Sequence, residues 1–327
     1  MIYRCCQHLH SGLAFMLSKV VTCNYHYGEV VLYDSIAEGS NVDITKIFER
    51  RKELIEKCKQ GIYFEPCINC DRFVEADWDD NANIKYLSIF HWLHCNCSCV
   101  YCFQEYARNP VGGYSDEVVK SQYYDVYPIL KFLKENNYLE EEKLNVEIGG
   151  GEPAILAELP DIISIISDIG FEFCLIMSSG IRYSEDIEKL IQAPHTQFSV
   201  TISAGSREVF KKIKRRDKFD VVKDNLKRYL ENSPYGDNIK IRYLIYEGIN
   251  DNEKDIKDWV DLCEEIGAKT LEITFEFCKS FSEKRGQPYS PHLDKLIDYY
   301  KEYANNKGIF NVLVDNTTLG IMERGHY

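Results

Sequence analysis

Cysteines are the residues whose number and spacing most clearly indicate chemistry in this sequence. The chain has 13 of them, and four lie within one short segment, at positions 95, 97, 99 and 102. Cys95, Cys99 and Cys102 have the spacing C-x3-C-x2-C. Three thiolates leave one coordination position of a metal centre open, whereas a structural zinc site is closed by four protein ligands. The spacing therefore predicts either an iron–sulfur cluster with one exposed iron or half of a zinc site.

A second group of cysteines lies near the N-terminus, outside the obvious helices. Its members are Cys5, Cys6, Cys23, Cys67 and Cys70, and the last two have the spacing C-x2-C. The sequence lacks the cationic start, apolar core and cleavage site of a secretion signal, so we expect a cytoplasmic chain. Because reducing compartments disfavour disulfides, clustered cysteines there more often bind metal. We therefore predict a small, metal-stapled module over residues 1–80, in which the choice between Cys5 and Cys6 as ligand stays open.

Net charge and hydropathy argue against two classes of partner. The 327 residues include 39 Lys and Arg against 52 Asp and Glu, which gives a formal net charge of −13. Such an acidic surface argues against non-specific nucleic-acid binding, which depends on cationic contacts to phosphates. No segment is apolar enough to span a bilayer, since the best N-terminal candidate, residues 12–21, is short and contains Ser18 and Lys19. We expect neither a nucleic-acid partner nor a membrane partner.

The cysteine segment follows the first of six apolar runs that alternate with amphipathic stretches. The runs predict buried strands at 84–90, 144–148, 171–177, 197–202, 239–245 and 270–277. Apolar spacings and capping residues predict helices at 43–59, 116–136, 184–192, 220–231, 252–266 and 292–306, and a last strand is predicted at 310–314. Strands that alternate with helices pair in parallel through right-handed crossovers. The pattern leaves an open doubly wound sheet and a partial barrel as alternatives.

Motifs at the ends of these strands resemble those of the radical S-adenosylmethionine (radical SAM) superfamily. The loop Cys95-x3-Cys99-x2-Cys102, with Tyr101 before the last cysteine, is similar to the signature loop of that family. The sequence GGGEP at 149–153 resembles its GGEP motif, and SSG at 178–180, TISAG at 201–205 and GINDNE at 248–253 follow in the expected order. The resemblance covers residues 84–277. It implies an α/β fold with a partial (β/α)6 barrel over residues 81–280, preceded by the cysteine-rich module and followed by a C-terminal helix and strand over 281–327.

The resemblance also implies roles for individual residues. Cys95, Cys99 and Cys102 would hold a [4Fe–4S] cluster whose fourth iron takes the amino and carboxylate groups of SAM. The N-terminal cysteines resemble a SPASM or Twitch module, which implies an auxiliary [4Fe–4S] cluster, although such modules usually follow the barrel and a structural zinc is the alternative. The implied SAM-binding residues are Tyr101, then Gly150, Gly151 and Glu152 for the methionyl amino group, Ser179 and Ser203 for ribose and carboxylate, Lys214 for an anionic group, and Gly248 and Asn250 near adenine.

The implied reaction is reductive cleavage of SAM, followed by hydrogen abstraction from an unactivated C–H bond by the 5′-deoxyadenosyl radical. The electron would come from a donor such as flavodoxin or ferredoxin. Auxiliary modules are common in peptide-modifying members, which favours a peptide substrate; a sugar, alcohol or other small metabolite is the runner-up, and a glycyl-radical activase a further alternative. Cys278, at the end of the sixth predicted strand, could return a hydrogen atom to a substrate radical. The hypothesis from another class is a structural zinc-binding interaction protein.

Overall fold

The structure is a computed structural model that describes residues 2–23, 30–65, 67–70, 72–79, 83–102, 115–275 and 291–314. Its strands are β1 (Ile2–Cys5), β2 (Gly12–Met16), β3 (Lys19–Val21), β4 (Val31–Asp34), β5 (Val74–Asp77), β6 (Tyr86–Phe90), β7 (Asn145–Ile148), β8 (Phe173–Ser178), β9 (Thr196–Thr201), β10 (Ile239–Ile245), β11 (Thr270–Phe275) and β12 (Asn311–Val314). Its α-helices are α1 (Gln7–Ser11), α2 (Ser35–Glu38), α3 (Ile44–Lys59), α4 (Asp116–Lys120), α5 (Tyr127–Glu135), α6 (Leu159–Ile169), α7 (Glu185–Leu190), α8 (Arg207–Lys214), α9 (Phe219–Asn232), α10 (Glu253–Glu265) and α11 (Pro291–Asn306).

The chain forms two compact units, and the first contains residues 1–93, 121–151 and 156–174. Its larger sheet has the strand order β4-β3-β2-β6-β7, in which β2, β6 and β7 are parallel and β3 and β4 run antiparallel to their neighbours. A separate antiparallel ribbon pairs β1 with β5. The N-terminal residues therefore contribute strands to the sheet that contains β6, the strand that leads to the cysteine loop.

The second unit contains residues 94–120, 152–155 and 175–327. Its strands follow in the order β8-β9-β10-β11-β12, and the ladders from β9 to β12 are parallel. Helices α7 to α11 alternate with these strands, and apolar strand residues pack on them, as Tyr243 does on Trp259. The predicted α/β fold with parallel strands is therefore confirmed, and β6 to β11 provide the six strands of the predicted barrel series.

The predicted single helix over 116–136 is wrong, because the structure divides it into α4 and α5. The backbone N–H groups of Val126 and Tyr127 each donate to the Glu158 carboxylate at 3.2 Å, which satisfies the free donors at the start of α5. Pro128 follows at the beginning of the same helix. Because proline has no N–H and clashes with the preceding turn, it favours a helix start over a helix interior. The apolar spacing continued across this break and concealed it.

Gly205 lies where the chain after β9 approaches α10, and it gives a prediction about stability. A Cβ atom at this position would overlap the backbone of Asp258 and Trp259. Because backbone cannot turn away as a flexible side chain can, we expect Gly205→Ala to reduce the free energy of unfolding by more than about 3 kcal/mol. Denaturant unfolding checks this, with Gly308→Ala as the comparison: a Cβ there meets nothing within 4 Å, so only the left-handed φ of 76° costs free energy. Equal losses in the two variants would contradict the expectation.

Within the described ranges, no helix is long and apolar enough to cross a membrane.

Candidate active site

The loop with the C-x3-C-x2-C spacing is fixed to the end of α8. The backbone N–H of Ser98 donates to the carbonyl oxygen of Lys214 at 3.2 Å, and that of Val100 donates to Ile213 at 2.9 Å. Arg216 adds a hydrogen bond from its Nε atom to the carbonyl oxygen of Asn96 at 3.1 Å. These three bonds hold an irregular segment against a regular element, so the positions of its cysteines depend on α8.

Lys214 lies directly behind this loop and is 2% exposed. Its Nζ atom donates to the Tyr101 hydroxyl at 2.7 Å, and Tyr101 also forms a hydrogen bond with Ser203. Burial alone would lower the pKa of Lys214. The negative charges that Cys99 and Tyr101 carry when they lose their protons have a larger effect, and they raise the pKa above its usual value. Lys214 therefore places a buried positive charge beside the loop, where it would offset the negative charge of bound thiolates.

The thiols of the loop have soft donor chemistry that fits an iron–sulfur cluster. Cys95, Cys99 and Cys102 are half-buried thiols, whereas Cys97 is buried. The Cys95 sulfur accepts the backbone N–H of Cys97 at 3.3 Å. A hydrogen bond with Cys95 is the main cause that raises the pKa of Cys97 to about 12. The donor set therefore suits [4Fe–4S] ligation, although no three Cys, His, Asp or Glu side chains in the described part of the chain already converge at metal-binding positions.

Glu152 holds the end of β8 in place and is 1% exposed. One carboxylate oxygen accepts the Ser178 hydroxyl at 2.7 Å and the Ala154 N–H at 3.2 Å. The other oxygen accepts the Ser179 N–H at 2.8 Å and its hydroxyl at 2.5 Å. Ser179 also lies 3.3 Å from the amide oxygen of Asn96 in the cysteine loop. Both oxygens are therefore occupied by protein donors, and Glu152 acts on any ligand through the residues that it positions.

Ser203 and Asn250 connect the ends of β9 and β10. Ser203 has a φ of 54°, a left-handed conformation that is uncommon for residues other than glycine. Its hydroxyl accepts the Leu244 N–H at 3.1 Å. The Asn250 amide donates to the carbonyl oxygens of Ser203 and Leu244 at 2.9 Å and accepts the Tyr246 N–H at 2.7 Å. These bonds satisfy the Asn250 side chain, so the structure gives it a role in shaping the strand ends.

The three predicted glycine positions differ in how tightly they are enclosed. Gly150, in the first unit, has a φ of 96°, and a Cβ there would overlap the carbonyl oxygen of Trp92. The next N–H, of Gly151, donates to the same oxygen at 2.8 Å. Gly248, in the second unit, has a φ of 81°, but a Cβ there would meet nothing within 4 Å. Gly150 is thus required by both conformation and space, and Gly248 by conformation alone.

A buried charge cluster on β10 and β11 was missing from the sequence-based site. The Glu272 carboxylate forms ion pairs with Lys240 at 2.8 Å and with Arg242 at 2.5 Å. The exposed fraction of the side chain is 3% for Glu272, 6% for Lys240 and 12% for Arg242. Tyr243 packs towards Trp259 on α10, so the alternation of side chains along a strand puts Arg242 and Glu272 on the opposite face of the sheet. The period-two pattern of β11 could have indicated that face, but only strand pairing identifies the partners.

This cluster gives a prediction about stability. Glu272→Gln should reduce the free energy of unfolding by about 3–5 kcal/mol, because it leaves two buried cations without their carboxylate. Urea unfolding measures this, and Glu265→Gln is the control because its ion pair with Lys223 is exposed. A small effect at Glu272, similar to that at Glu265, would mean that the cluster adds nothing to stability.

Two groups of predicted residues remain: one lies beyond the described chain, and the other belongs to the first unit. Cys278 lies outside the described residues. Cys5, Cys6, Cys67 and Cys70 belong to one hydrophobic cluster of the first unit, with Cys58 as a further member. The sequence analysis did not count Cys58 in this group, because its helical spacing resembled that of ordinary core residues.

The family to which the chain belongs follows from a comparison with known proteins. Residues 89–260, just over half of the chain, match the Radical SAM superfamily. The chain therefore belongs to this superfamily of enzymes, and the match includes the cysteine loop, the GGGEP motif and Lys214. Membership implies a [4Fe–4S] cluster and SAM as cofactors.

Proteins similar to this chain include cyclases named for GTP and a protein described with a bound peptide. The chain is 26% identical over 183 residues to the GTP 3',8-cyclase of Chlorobaculum tepidum, which covers 56% of this chain and 51% of that one. It is also 26% identical over 222 residues to the probable GTP 3',8-cyclase of Methanocaldococcus jannaschii, which covers 68% of each. Streptococcus suis SuiB bound to its precursor peptide SuiA superposes with a TM-score of 0.51 at 12% identity, over 97% of this chain and 74% of that one. This structural likeness supports the fold.

The chain thus spans about half the length of the cyclase from Chlorobaculum tepidum.

Proposed function

We propose that this chain cleaves SAM reductively and uses the resulting radical to abstract hydrogen from a C–H bond of a peptide. Cys95, Cys99 and Cys102 would hold a [4Fe–4S] cluster that supplies one electron to SAM, which gives methionine and the 5′-deoxyadenosyl radical. That radical takes a hydrogen atom from the substrate and becomes 5′-deoxyadenosine. The observation that carries the proposal is the three-thiol loop fixed to α8 with the buried Lys214 behind it.

The residues around the loop would hold the proposed SAM site in a single geometry. The chain Lys214–Tyr101–Ser203 connects the loop to the end of β9. Asn96 connects it to Ser179, which Glu152 orients. A site whose supporting groups are already hydrogen-bonded needs little rearrangement when it binds a ligand. Ser179, Tyr101 and Lys214 are therefore the proposed positioning residues of the SAM site, and Gly150, Gly151, Gly248 and Asn250 would shape its backbone.

The proposal of a peptide substrate and the main alternative rest on different relatives. SuiB, whose fold resembles this chain, is described with a bound precursor peptide. The cyclases have higher sequence identity but are named for GTP, which favours a small metabolite as the second candidate. We also propose an electron donor of the flavodoxin or ferredoxin kind, a cytoplasmic location, Cys278 as a hydrogen donor to the substrate radical, and an auxiliary [4Fe–4S] site within residues 1–80.

The test of this function uses the anaerobically reconstituted chain with dithionite and SAM. Formation of 5′-deoxyadenosine is the expected result. GTP is then added as a probe of the small-metabolite alternative, and we expect neither faster 5′-deoxyadenosine formation nor a cyclised nucleotide. If GTP raised the rate of 5′-deoxyadenosine formation tenfold or more and gave a new nucleotide product, the peptide proposal would be wrong and a GTP cyclase activity would take its place. No SAM cleavage under any condition would contradict the catalytic proposal itself.

A further inference from the structure

The neighbouring thiols Cys5 and Cys6 have different environments in the first unit. Cys5 ends β1, where it pairs with Val74 of β5, and its sulfur forms a hydrogen bond with Cys58 of α3. Cys6 is the N-cap of α1, and its sulfur accepts the backbone N–H of Leu9 at 3.4 Å. Consecutive residues of an extended chain point in opposite directions. The two sulfurs therefore belong to different surroundings.

Cys67 and Cys70 contact the cluster of Cys5, Cys6 and Cys58 from the segment between α3 and β5. They begin and follow a 3-10 turn, closed by a hydrogen bond from the Cys70 N–H to the carbonyl oxygen of Cys67 at 3.0 Å. The turn continues through the Phe73 N–H, which donates to Cys70 at 3.1 Å, into the strand that pairs with β1. Both thiols pack, partly exposed, on the hydrophobic cluster that contains Cys6.

Cys23 reaches the same place from the end of β3. The carbonyl oxygen of the preceding residue, Thr22, would lie 2.7 Å from a Cβ atom at Gly12, and that of His8 would lie at 2.8 Å. Only a residue without a side chain allows the segment at Thr22 to approach α1 this closely. Since α1 begins at the Cys6 cap, this approach places Cys23 near that helix, close enough for its charge to act on the Cys6 thiol.

Electrostatic coupling among the thiols agrees with this division. The pKa of Cys6 is raised to about 12, mainly by burial and in smaller part by the charges of Cys23 and Cys70. Burial also raises the pKa of Cys67. The charges of Cys6, Cys23 and Cys70 contribute to this increase, each more than the charge of Cys58 does. The pKa of Cys5, by contrast, is raised chiefly by its hydrogen bond with Cys58.

Each of the two described histidines near this cluster is engaged with another group. His10 has one ring nitrogen 3.0 Å from the Tyr3 hydroxyl and the other 3.1 Å from the carbonyl oxygen of Asp79. His8 is buried, which lowers its pKa to about 4, and Arg72 lies 3.4 Å from its Nε2 atom. The cation of Arg72 would repel a metal ion at His8. Thiols are therefore the better ligands here.

From this arrangement we infer that Cys6, Cys23, Cys67 and Cys70, whose thiols do not yet converge at metal-binding positions, are drawn together by a bound metal into a four-thiolate site, while Cys5 and Cys58 form a separate thiol pair in the core. The inference rests on the auxiliary site proposed above and identifies its ligands. A [4Fe–4S] cluster and a zinc ion both accept four thiolates. Because four protein ligands leave no open position, the site binds neither SAM nor substrate, and it holds the N-terminal segments together or passes electrons.

The test uses the full chain with Cys95, Cys99 and Cys102 replaced by alanine, so that any remaining metal belongs to the N-terminal site. After anaerobic reconstitution we expect about four iron and four sulfide per chain, or about one zinc if the site binds zinc. Adding Cys6→Ser, Cys23→Ser or Cys70→Ser should remove this metal, whereas Cys5→Ser and Cys58→Ser should retain it. Addition of SAM should leave the spectrum of the retained cluster unchanged.

Several outcomes would overturn the ligand assignment. Loss of the metal in Cys5→Ser together with retention in Cys6→Ser would reverse the two roles, and a chain that binds no metal would remove the site. In case the triple-alanine chain fails to fold, the same serine variants are made in the wild-type chain. There the ligand variants should lose half of the iron, or the zinc if the site binds zinc, and keep SAM cleavage. If the proposed catalytic function is wrong, the wild-type chain will not cleave SAM, but the metal counts of the N-terminal site will be unaffected.

Discussion

Replacing Cys99 by alanine should remove about four iron atoms per chain and abolish the cleavage of SAM. Cys99 is the middle ligand of the proposed loop, and a cluster with only two of its three thiolates has no closed attachment to the protein. The variant should also keep its fold, because the loop is held to α8 by the backbone of Ser98 and Val100. Iron and sulfide analysis, with 5′-deoxyadenosine quantified by chromatography, measures both effects.

Cys97→Ala is the matched control for this result. Cys97 lies in the same loop and is a buried thiol, but its spacing does not fit the C-x3-C-x2-C pattern. We expect it to retain the iron and most of the SAM cleavage, with a moderate loss of stability from the lost packing. If Cys97→Ala lost the cluster while Cys99→Ala kept it, the assignment of the three ligands would be wrong.

Replacing Glu152 by alanine should lower both stability and SAM affinity, through residues that Glu152 positions. The change removes the acceptor for the Ser178 hydroxyl, the Ser179 N–H and the Ser179 hydroxyl. Buried donors without a partner cost free energy, so we expect a loss of at least about 3 kcal/mol in urea unfolding. Since Ser179 would no longer be oriented beside Asn96, SAM affinity should fall by about 10- to 100-fold, measured by equilibrium binding to the reconstituted chain.

Two variants show whether this effect depends on position. Glu152→Gln keeps the shape and one acceptor oxygen, so it should lie between wild type and Glu152→Ala in both measurements. Glu208→Ala removes an exposed carboxylate that pairs with Lys212 on α8, and we expect little change. A Glu152→Ala chain with wild-type SAM affinity would show that Glu152 supports the fold alone.

Much of the fold could be predicted from the sequence because its signals are local. The strands at β6, β7, β9 and β10 follow their apolar runs to within about two residues, since each run is both buried and short. The break between α4 and α5 could not be predicted in this way. It depends on Glu158, which is distant in sequence and caps α5.

The residues of the site were located by sequence more reliably than their contacts were. The cysteine loop and Glu152 were recognised from their motifs, but whether a side chain faces a ligand or a neighbour depends on strand pairing. Asn250, for example, was assigned to adenine, while its amide bonds to Ser203 and Leu244. Lys214 was expected to meet an anionic group, and only the structure shows that it is buried beside Tyr101. The role of each residue as a direct SAM contact stays a prediction.

The central claim is that the loop at Cys95, Cys99 and Cys102 holds a cluster whose open iron binds SAM. The most direct test is electron paramagnetic resonance of a Cys67→Ala/Cys70→Ala chain, reconstituted anaerobically and reduced, before and after addition of SAM. We expect about four iron atoms per chain, a spectrum that changes when SAM is added, and formation of 5′-deoxyadenosine. A chain that takes up no iron, or that retains tightly bound zinc in its place and leaves SAM intact, would contradict it.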